Sequence, residues 1–507
     1  MAAFGLRFWP ANLWGRLAKV KRWRTASGWG IRVPEPAIFK DYGSVMLPTR
    51  FIALLAAQAL LLGGCQTLSS LGDHAAATVG LGDDVPRAYT ASEVSEVQQA
   101  GIAAADEPLA ARAGAGALQS KGSAVDAVAA MFFTLTATYP AAAGLGGGGI
   151  CLVSEAGGRV MEFDFLTKAP RRAGAYALPG AVKGFAVMHK LYGALPWQRV
   201  VAPGEAYAAT GFPISQALAV RLAAAQNIVR LDASLAAEFL DETGNVRAAG
   251  SETRNLPLAE SLGEIRLKGA DGFYTGAVAD RLIAYSDAQG GGISAAELQA
   301  TAPLQGAARS RAVGNLVLWL PGARTGAGAF STSMLDNLSR GRGGANTDLA
   351  VQQSLAGFGV ASLPGDLGST GFAAVDANGQ AAACAVTLNG PFGSGRTATG
   401  TGIVLGATPS SQTGLASAFL TPMLATSGGA VTLAGTGAGG PKGAAAAIAA
   451  ALDVARGRPL GKRGDLRGTG SAPYDTVNMI SCGEQACIAL TDPGGHGASA
   501  VAYDTSQ

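Results

Sequence analysis

The chain has 507 residues, of which 48% are hydrophobic and only 14% charged, with 73 glycines and a formal net charge of +3. So much apolar surface with so little charge excludes a disordered chain, and glycine at this density excludes a long coiled coil. The glycines cluster without a three-residue period, which excludes collagen.

Residues 1–45 hold Trp9, Trp14, Trp23 and Trp29 and a basic stretch, Lys19 to Arg24. They read either as a basic patch for nucleic acid or membrane, or as an extension upstream of a true start at Met46. The second reading is favoured, because residues 46–64 form a complete secretory signal. Arg50 precedes the apolar run Phe51–Leu62, and Gly63-Gly64 stand before Cys65. The run is too short to span a bilayer, which takes ~20 apolar residues. Small residues before a cysteine resemble a bacterial lipobox, in which Cys65 is acylated and becomes the mature N-terminus. Each buried CH₂ of such a chain contributes roughly 0.8 kcal/mol of anchoring. The alternative is an ordinary signal peptide with a chance cysteine. Gln66, rather than Asp, resembles lipoproteins sorted to the outer membrane. The expectation is a lipid-anchored protein of the bacterial cell envelope, facing the periplasm, with residues 65–94 as anchor linker.

Without residues 1–64 the chain keeps 29 basic and 33 acidic residues, a net charge of −4. The basic character leaves with the signal, and with it the support for a nucleic-acid partner.

From Gly122 the sequence is apolar all round and predicts a buried helix ending near Pro140. A hairpin follows, with strands Gly149–Ser154 and Arg159–Phe165 around a Gly-Gly turn. The tetraglycine Gly146–Gly149 opens into a strand and lacks a following Lys-Ser/Thr, so it does not meet the phosphate-loop pattern. Residues 180–300 alternate helical runs with Gly/Pro breaks, and residues 340–368 form a Gly-rich approach. A second hairpin, Phe372–Ala377 with Gln380–Leu388, turns at Asn378-Gly379. Further strands are predicted at Ala430–Ala434, Thr476–Ser481, Ala486–Thr491 and Ala498–Tyr503, with a strong helix at Ala444–Val454. Helices alternating with hairpins indicate helical layers covering sheets.

His74, His189 and His496 lie too far apart for a zinc motif, and no GxSxG elbow precedes a helix, so no metal and no cofactor is expected. Each histidine reads as structural or exposed. After Cys65 the cysteines are Cys151, Cys384, Cys482 and Cys487, in no metal-ribbon spacing. Cys482 and Cys487 are placed to close a hairpin loop in an oxidising compartment, or to stay reduced.

Several segments, in order, resemble the gamma-glutamyltransferase family of N-terminal-nucleophile hydrolases. They are the AVDAVAA helix (Ala124–Ala130), YPAAAGLGGGGICLV (Tyr139–Val153), DFLTKAP (Asp164–Pro170), the stretch Leu178–Ser215, GFYTG (Gly272–Gly276), GGGISAAELQA (Gly290–Ala300), Ser369–Gly395, and DPGGHGASAVAY near the C-terminus. The resemblance implies an α+β fold, a four-layer αββα sandwich. It also implies self-cleavage at Gly368–Ser369 into a large-subunit region (95–368) and a small-subunit region (369–507) that share one intertwined domain.

In that family the residue after the cut is the nucleophile. Ser369-Thr370-Gly371 stands where Thr-Thr-His is usual, so Ser369 takes the nucleophile position. Cleavage frees the Ser369 α-amine, whose ordinary pKa of ~7.7–8.0 lets it act as base without a histidine. Thr387 matches a threonine that bonds the nucleophile region, and Asn389 a substrate-binding asparagine. Gly439 and Gly440 match the oxyanion-hole glycines. Thr370 and Thr421 complete the substrate-binding set, with Thr421-Pro422 at a family serine pair.

Three departures stand out. Leu166 replaces the arginine that pairs with the γ-glutamyl α-carboxylate, and leucine cannot make a bidentate carboxylate contact. Gly406–Ser417 replaces the acidic segment that binds the α-amine. Thr421-Pro422 replaces the serine pair. The leading reading is a self-cleaving amidohydrolase or acyltransferase acting on γ-glutamyl compounds such as glutathione. The alternatives are an amidase or acylase with another acyl group, and an uncleaved, degenerate envelope lipoprotein.

Overall fold

The computed structural model describes residues 99–504, apart from 156–158, 323, 341–346, 359, 361–362, 364, 411–413, 459, 461–473, 484–485 and 493. The signal, Cys65 and the anchor linker lie outside the described residues.

Thirteen strands build two large sheets among these residues. They are β1 (Gln99–Ala105), β2 (Gly148–Ser154), β3 (Val160–Asp164), β4 (Leu304–Ala307), β5 (Arg309–Val313), β6 (Leu316–Leu320), β7 (Ser369–Asp376), β8 (Ala381–Thr387), β9 (Thr421–Ser427), β10 (Ala430–Ala438), β11 (Thr476–Cys482), β12 (Cys487–Thr491) and β13 (Ala498–Tyr503). The first sheet runs β13-β1-β7-β8-β2-β3-β4 and the second β12-β11-β10-β9-β6-β5. The pairings within both are antiparallel.

Helices α1 (Pro108–Gln119), α2 (Ala124–Thr138), α3 (Ala181–Tyr192), α4 (Trp197–Thr210) and α5 (Gln216–Ala224) lie in one core with the outer face of the first sheet. Helices α6 (Gly326–Arg340), α7 (Thr347–Ala356) and α8 (Pro441–Ala455) cover the second. Between the sheets, Ile102, Ala104, Leu152, Ala373, Ala383, Leu424, Ala434 and Ile480 form a further core. This is the four-layer αββα sandwich.

The layering explains the sequence pattern. On β7, Phe372 and Ala374 pack toward the helices while Ala373 and Val375 pack toward the other sheet. Both faces are buried, so the strand is continuously apolar rather than alternating. Helix α2 is buried along its whole length. Ser123 and Asp126 close a capping box at its start. Asp126 also accepts the N–H groups of Ala194 and Leu195 and lies 3.3 Å from His189 Nε2. His189 is therefore a structural group joining α2 to the turn after α3.

Two strands have no clear signal in the sequence. β1 reads QAGIAAA, with one β-branched residue, and it forms because β13 and β7 flank it. β9 contains Pro422, normally a strand breaker. Its partner β6 pairs only with Leu424–Thr426, so Pro422 meets no ladder on that side. The Gly-rich approach at 340–368 also contains a helix, α7. Both cysteine pairs are bonded, Cys482–Cys487 across the β11–β12 hairpin and Cys151–Cys384 across β2 and β8.

Candidate active site

The N-terminal end of β7 and the C-terminal end of β8 meet in register, with Thr387 opposite Ser369 on one side and Gly148 on the other. Ser369 is the first residue of β7 and is buried. Its hydroxyl oxygen accepts the backbone N–H of Gly439 at 2.8 Å. Gly439 follows β10, and Gly440 caps the start of α8. The nucleophile position thus sits where the two sheets approach, beside the positive end of a helix of fifteen residues.

The carbonyl of Gly368 is held from β8. Thr387 Oγ1 donates to it at 2.7 Å and the Leu388 N–H at 3.3 Å. The Thr387 hydroxyl in turn accepts the Asn389 N–H at 2.9 Å, which leaves its own proton directed at Gly368. Gly368 has φ +61°, and a Cβ there would overlap the Gly390 carbonyl. Glycine is required by both backbone conformation and space.

Asn389 also has positive φ, +64°, a conformation asparagine tolerates. Its side chain is engaged within the protein. Nδ2 donates to Thr167 Oγ1 and the Ala407 carbonyl, and Oδ1 accepts the Ser417 hydroxyl. The Thr370 hydroxyl donates to Asp106 at 2.7 Å. Thr421 begins β9, where its hydroxyl donates to the Phe419 carbonyl and lies 3.5 Å from Ser331 Oγ. The structure therefore brings Gly368, Ser369, Thr387 and Gly439 together around one bond. Asn389, Thr370 and Gly440 stand one contact away, and Thr421 makes its hydrogen bonds elsewhere.

Four charged residues near this site carry no motif in the sequence. Asp106, just after β1, accepts from Thr370, Thr476 and Asn478 side chains and from the Gly371 N–H, tying the two sheets together. At Gly371 the sheets come so close that a Cβ would overlap Thr436 Oγ1. Histidine, usual there in the resembling family, has no room. Arg221 and Asp366 form a buried pair at 2.7 Å. Asp475 accepts the Gly443 N–H at the start of α8, and burial pushes its carboxyl up to about 6. Each becomes visible only when distant segments meet.

Leu166 packs with Ile150, Ala327, Ala385 and Leu420 in a small apolar cluster between the sheets. Ile150 and Ala385 face each other on β2 and β8, two residues along from Gly148 and Thr387, and Thr387 stands opposite Ser369.

Residues 110–340 match the gamma-glutamyltranspeptidase family model. Over those residues the chain is similar to that family. It is 30% identical over 231 residues to a glutathione hydrolase proenzyme of Pseudomonas sp., covering 41% of this chain and 40% of that protein. It is 28% identical over 276 residues to the glutathione hydrolase proenzyme of Escherichia coli, covering 50% and 46%. The chain thus matches less than half the length of these curated relatives. The solved cephalosporin acylase of Bacillus halodurans shares the fold, with a TM-score of 0.63 at 17% identity over 82% of this chain and 98% of that one. The family match ends before Ser369.

Proposed function

We propose that this chain is a self-cleaving amidohydrolase or acyltransferase with Ser369 as its N-terminal nucleophile. One observation carries the reading. The carbonyl before Ser369 is gripped by Thr387 and Leu388, while the Ser369 hydroxyl is fixed by Gly439.

In self-cleavage, Ser369 Oγ attacks the Gly368 carbonyl carbon, and the developing oxyanion lies against Thr387 Oγ1–H and the Leu388 N–H. The Gly368–Ser369 C–N bond breaks as the hydroxyl proton is delivered to the Ser369 nitrogen. Water hydrolyses the resulting ester, leaving a Gly368 carboxylate and a free Ser369 amine. That amine then serves as base when Ser369 Oγ attacks a substrate amide. Gly439 and Gly440 supply backbone N–H groups for the substrate oxyanion. Preorganised donors of this kind are worth ~10²–10³ in rate each.

Kinship makes γ-glutamyl amides such as glutathione the first substrate class. A second reading, an amidase for another acyl group, is favoured by the Leu166 cluster, because hydrocarbon cannot pair with an α-carboxylate. A reducing denaturing gel tests the first step. Cleavage gives pieces of 304 residues (Cys65–Gly368) and 139 residues (Ser369–Gln507), and Ser369→Ala abolishes it. A chain that stays whole on long incubation favours the uncleaved lipoprotein instead. Release from γ-glutamyl-anilide against apolar acyl-anilides then separates the two substrate classes.

The lipid anchor at Cys65 and the periplasm-facing, outer-membrane location are part of this proposal. They rest on the order of Arg50, Phe51–Leu62 and Gly63-Gly64-Cys65. Labelled fatty acid incorporated by the parent and lost in Cys65→Ala supports them; equal label in both rejects them.

A further inference from the structure

Arg221 is the largest fully buried side chain among the described residues, and the self-cleavage chemistry above makes no use of it. It sits on α5, whose start is capped by the Ser215 hydroxyl. Its guanidinium donates to three residues on two segments. Nε donates to Tyr139 Oη at 2.7 Å, Nη1 to Asp366 Oδ1 at 2.7 Å, and Nη2 to the Ser369 carbonyl at 2.9 Å. Its plane lies against the rings of Tyr139 and Tyr474, 5.1 and 5.6 Å from their centres. Burial pushes the Tyr139 phenol above its ordinary range, so it stays neutral beside the cation.

Asp366 Oδ1 accepts the Gly368 N–H at 2.8 Å as well as Arg221. The pair therefore grips the chain on both sides of one peptide bond. Upstream, Asp366 holds the Gly368 N–H; downstream, Arg221 holds the Ser369 carbonyl. The carbonyl between them is the one that Thr387 and Leu388 hold. Burying a guanidinium is costly unless its donors are matched, and here they are matched around the bond to be cut.

We propose that Arg221 is a positioning residue for self-cleavage, fixing the Gly368–Ser369 peptide for attack by Ser369 Oγ through Asp366 and the Ser369 carbonyl. This rests on the self-cleavage reading. Lysine can keep the charge but offers a single point of attachment, so it cannot hold Tyr139, Asp366 and the Ser369 carbonyl in one plane.

The test follows cleavage of the full chain over time for the parent, Arg221→Lys and Tyr139→Phe, with circular dichroism and thermal melting to confirm folding. Misplacement near a reacting bond costs on the order of 100-fold, which is the expected slowing for folded Arg221→Lys. Tyr139→Phe removes one hydrogen bond to the cation and keeps the ring, with roughly 10-fold slowing expected. Hydroxylamine, which cuts esters, should not restore the parent rate, because attack rather than ester hydrolysis is impaired. A parent that never cleaves overturns the self-cleavage reading and this proposal together. A cleaving parent with folded Arg221→Lys within threefold of its rate overturns this proposal alone, as does full rescue by hydroxylamine. If Arg221→Lys does not fold, Tyr139→Phe decides: an unchanged rate overturns the proposal and a slowed one supports it.

Discussion

Thr387 Oγ1 donates its proton to the carbonyl of Gly368, the residue before Ser369, across 2.7 Å. The Asn389 N–H occupies the hydroxyl's acceptor side, so the direction of donation is set. Thr387→Val keeps the branched shape and removes the donor. Self-cleavage should slow by ~10²–10³, the effect of losing one oxyanion donor, while Thr387→Ser cleaves near the parent rate. A gel time course on freshly made protein reads this, and an unimpaired Thr387→Val would remove Thr387 from the cleavage chemistry.

Gly368→Ala places a Cβ against the Gly390 carbonyl and forces alanine to φ +61°. The left-handed conformation costs about 1–2 kcal/mol, and the overlap adds about 1–3 kcal/mol. The variant should melt several degrees lower, and it should cleave more slowly because the shifted turn moves the Gly368 carbonyl away from Thr387 and Leu388. Parent-like melting and cleavage together would contradict the packing described for this turn.

Cys151 lies before the proposed cut and Cys384 after it, and they are bonded across β2 and β8. Cleaved protein should therefore run as one species on a non-reducing denaturing gel and as two on a reducing gel. Both cysteines are fully buried, and their bridge closes a loop of more than two hundred residues. Replacing the pair by alanines should cost roughly 2–5 kcal/mol in urea unfolding. Two bands without reductant would show that the subunits are not tethered.

Glu107 is fully buried at the start of α1, where one carboxyl oxygen accepts from Ala110 N–H and Thr138 and the other has no partner. Burial pushes its carboxyl up to about 7 from an ordinary 4.5. The folded state therefore holds an extra proton between those values, and stability falls as pH rises through that window. The full effect is about 3 kcal/mol. Glu107→Gln cannot ionise, so its unfolding free energy should drop less between pH 5 and pH 8 than the parent's. Identical drops would place the ionisation elsewhere; Glu238, raised to about 8 by burial, is the next group to replace.

Much of the sandwich is legible along the chain. The all-apolar run after Gly122 determines a buried helix, and Asn378-Gly379 between apolar runs determines the hairpin that starts at Ser369, because these are local matters of burial and turn chemistry. Ser369, Thr387 and Gly439 are recognisable because their neighbours keep an ordered pattern. The strand β1 and the glycine demanded at position 371 are not legible, since alanine-rich QAGIAAA becomes a strand only between β13 and β7, and Gly371 is required only because Thr436 arrives from the other sheet. The same holds for Asp106 and Arg221, whose partners lie up to 372 and 148 residues away. A charge is stable in the interior only when its hydrogen-bonding partners are already in place, and those partners are assembled by the packing of the sheets and helices, not by adjacency in the chain.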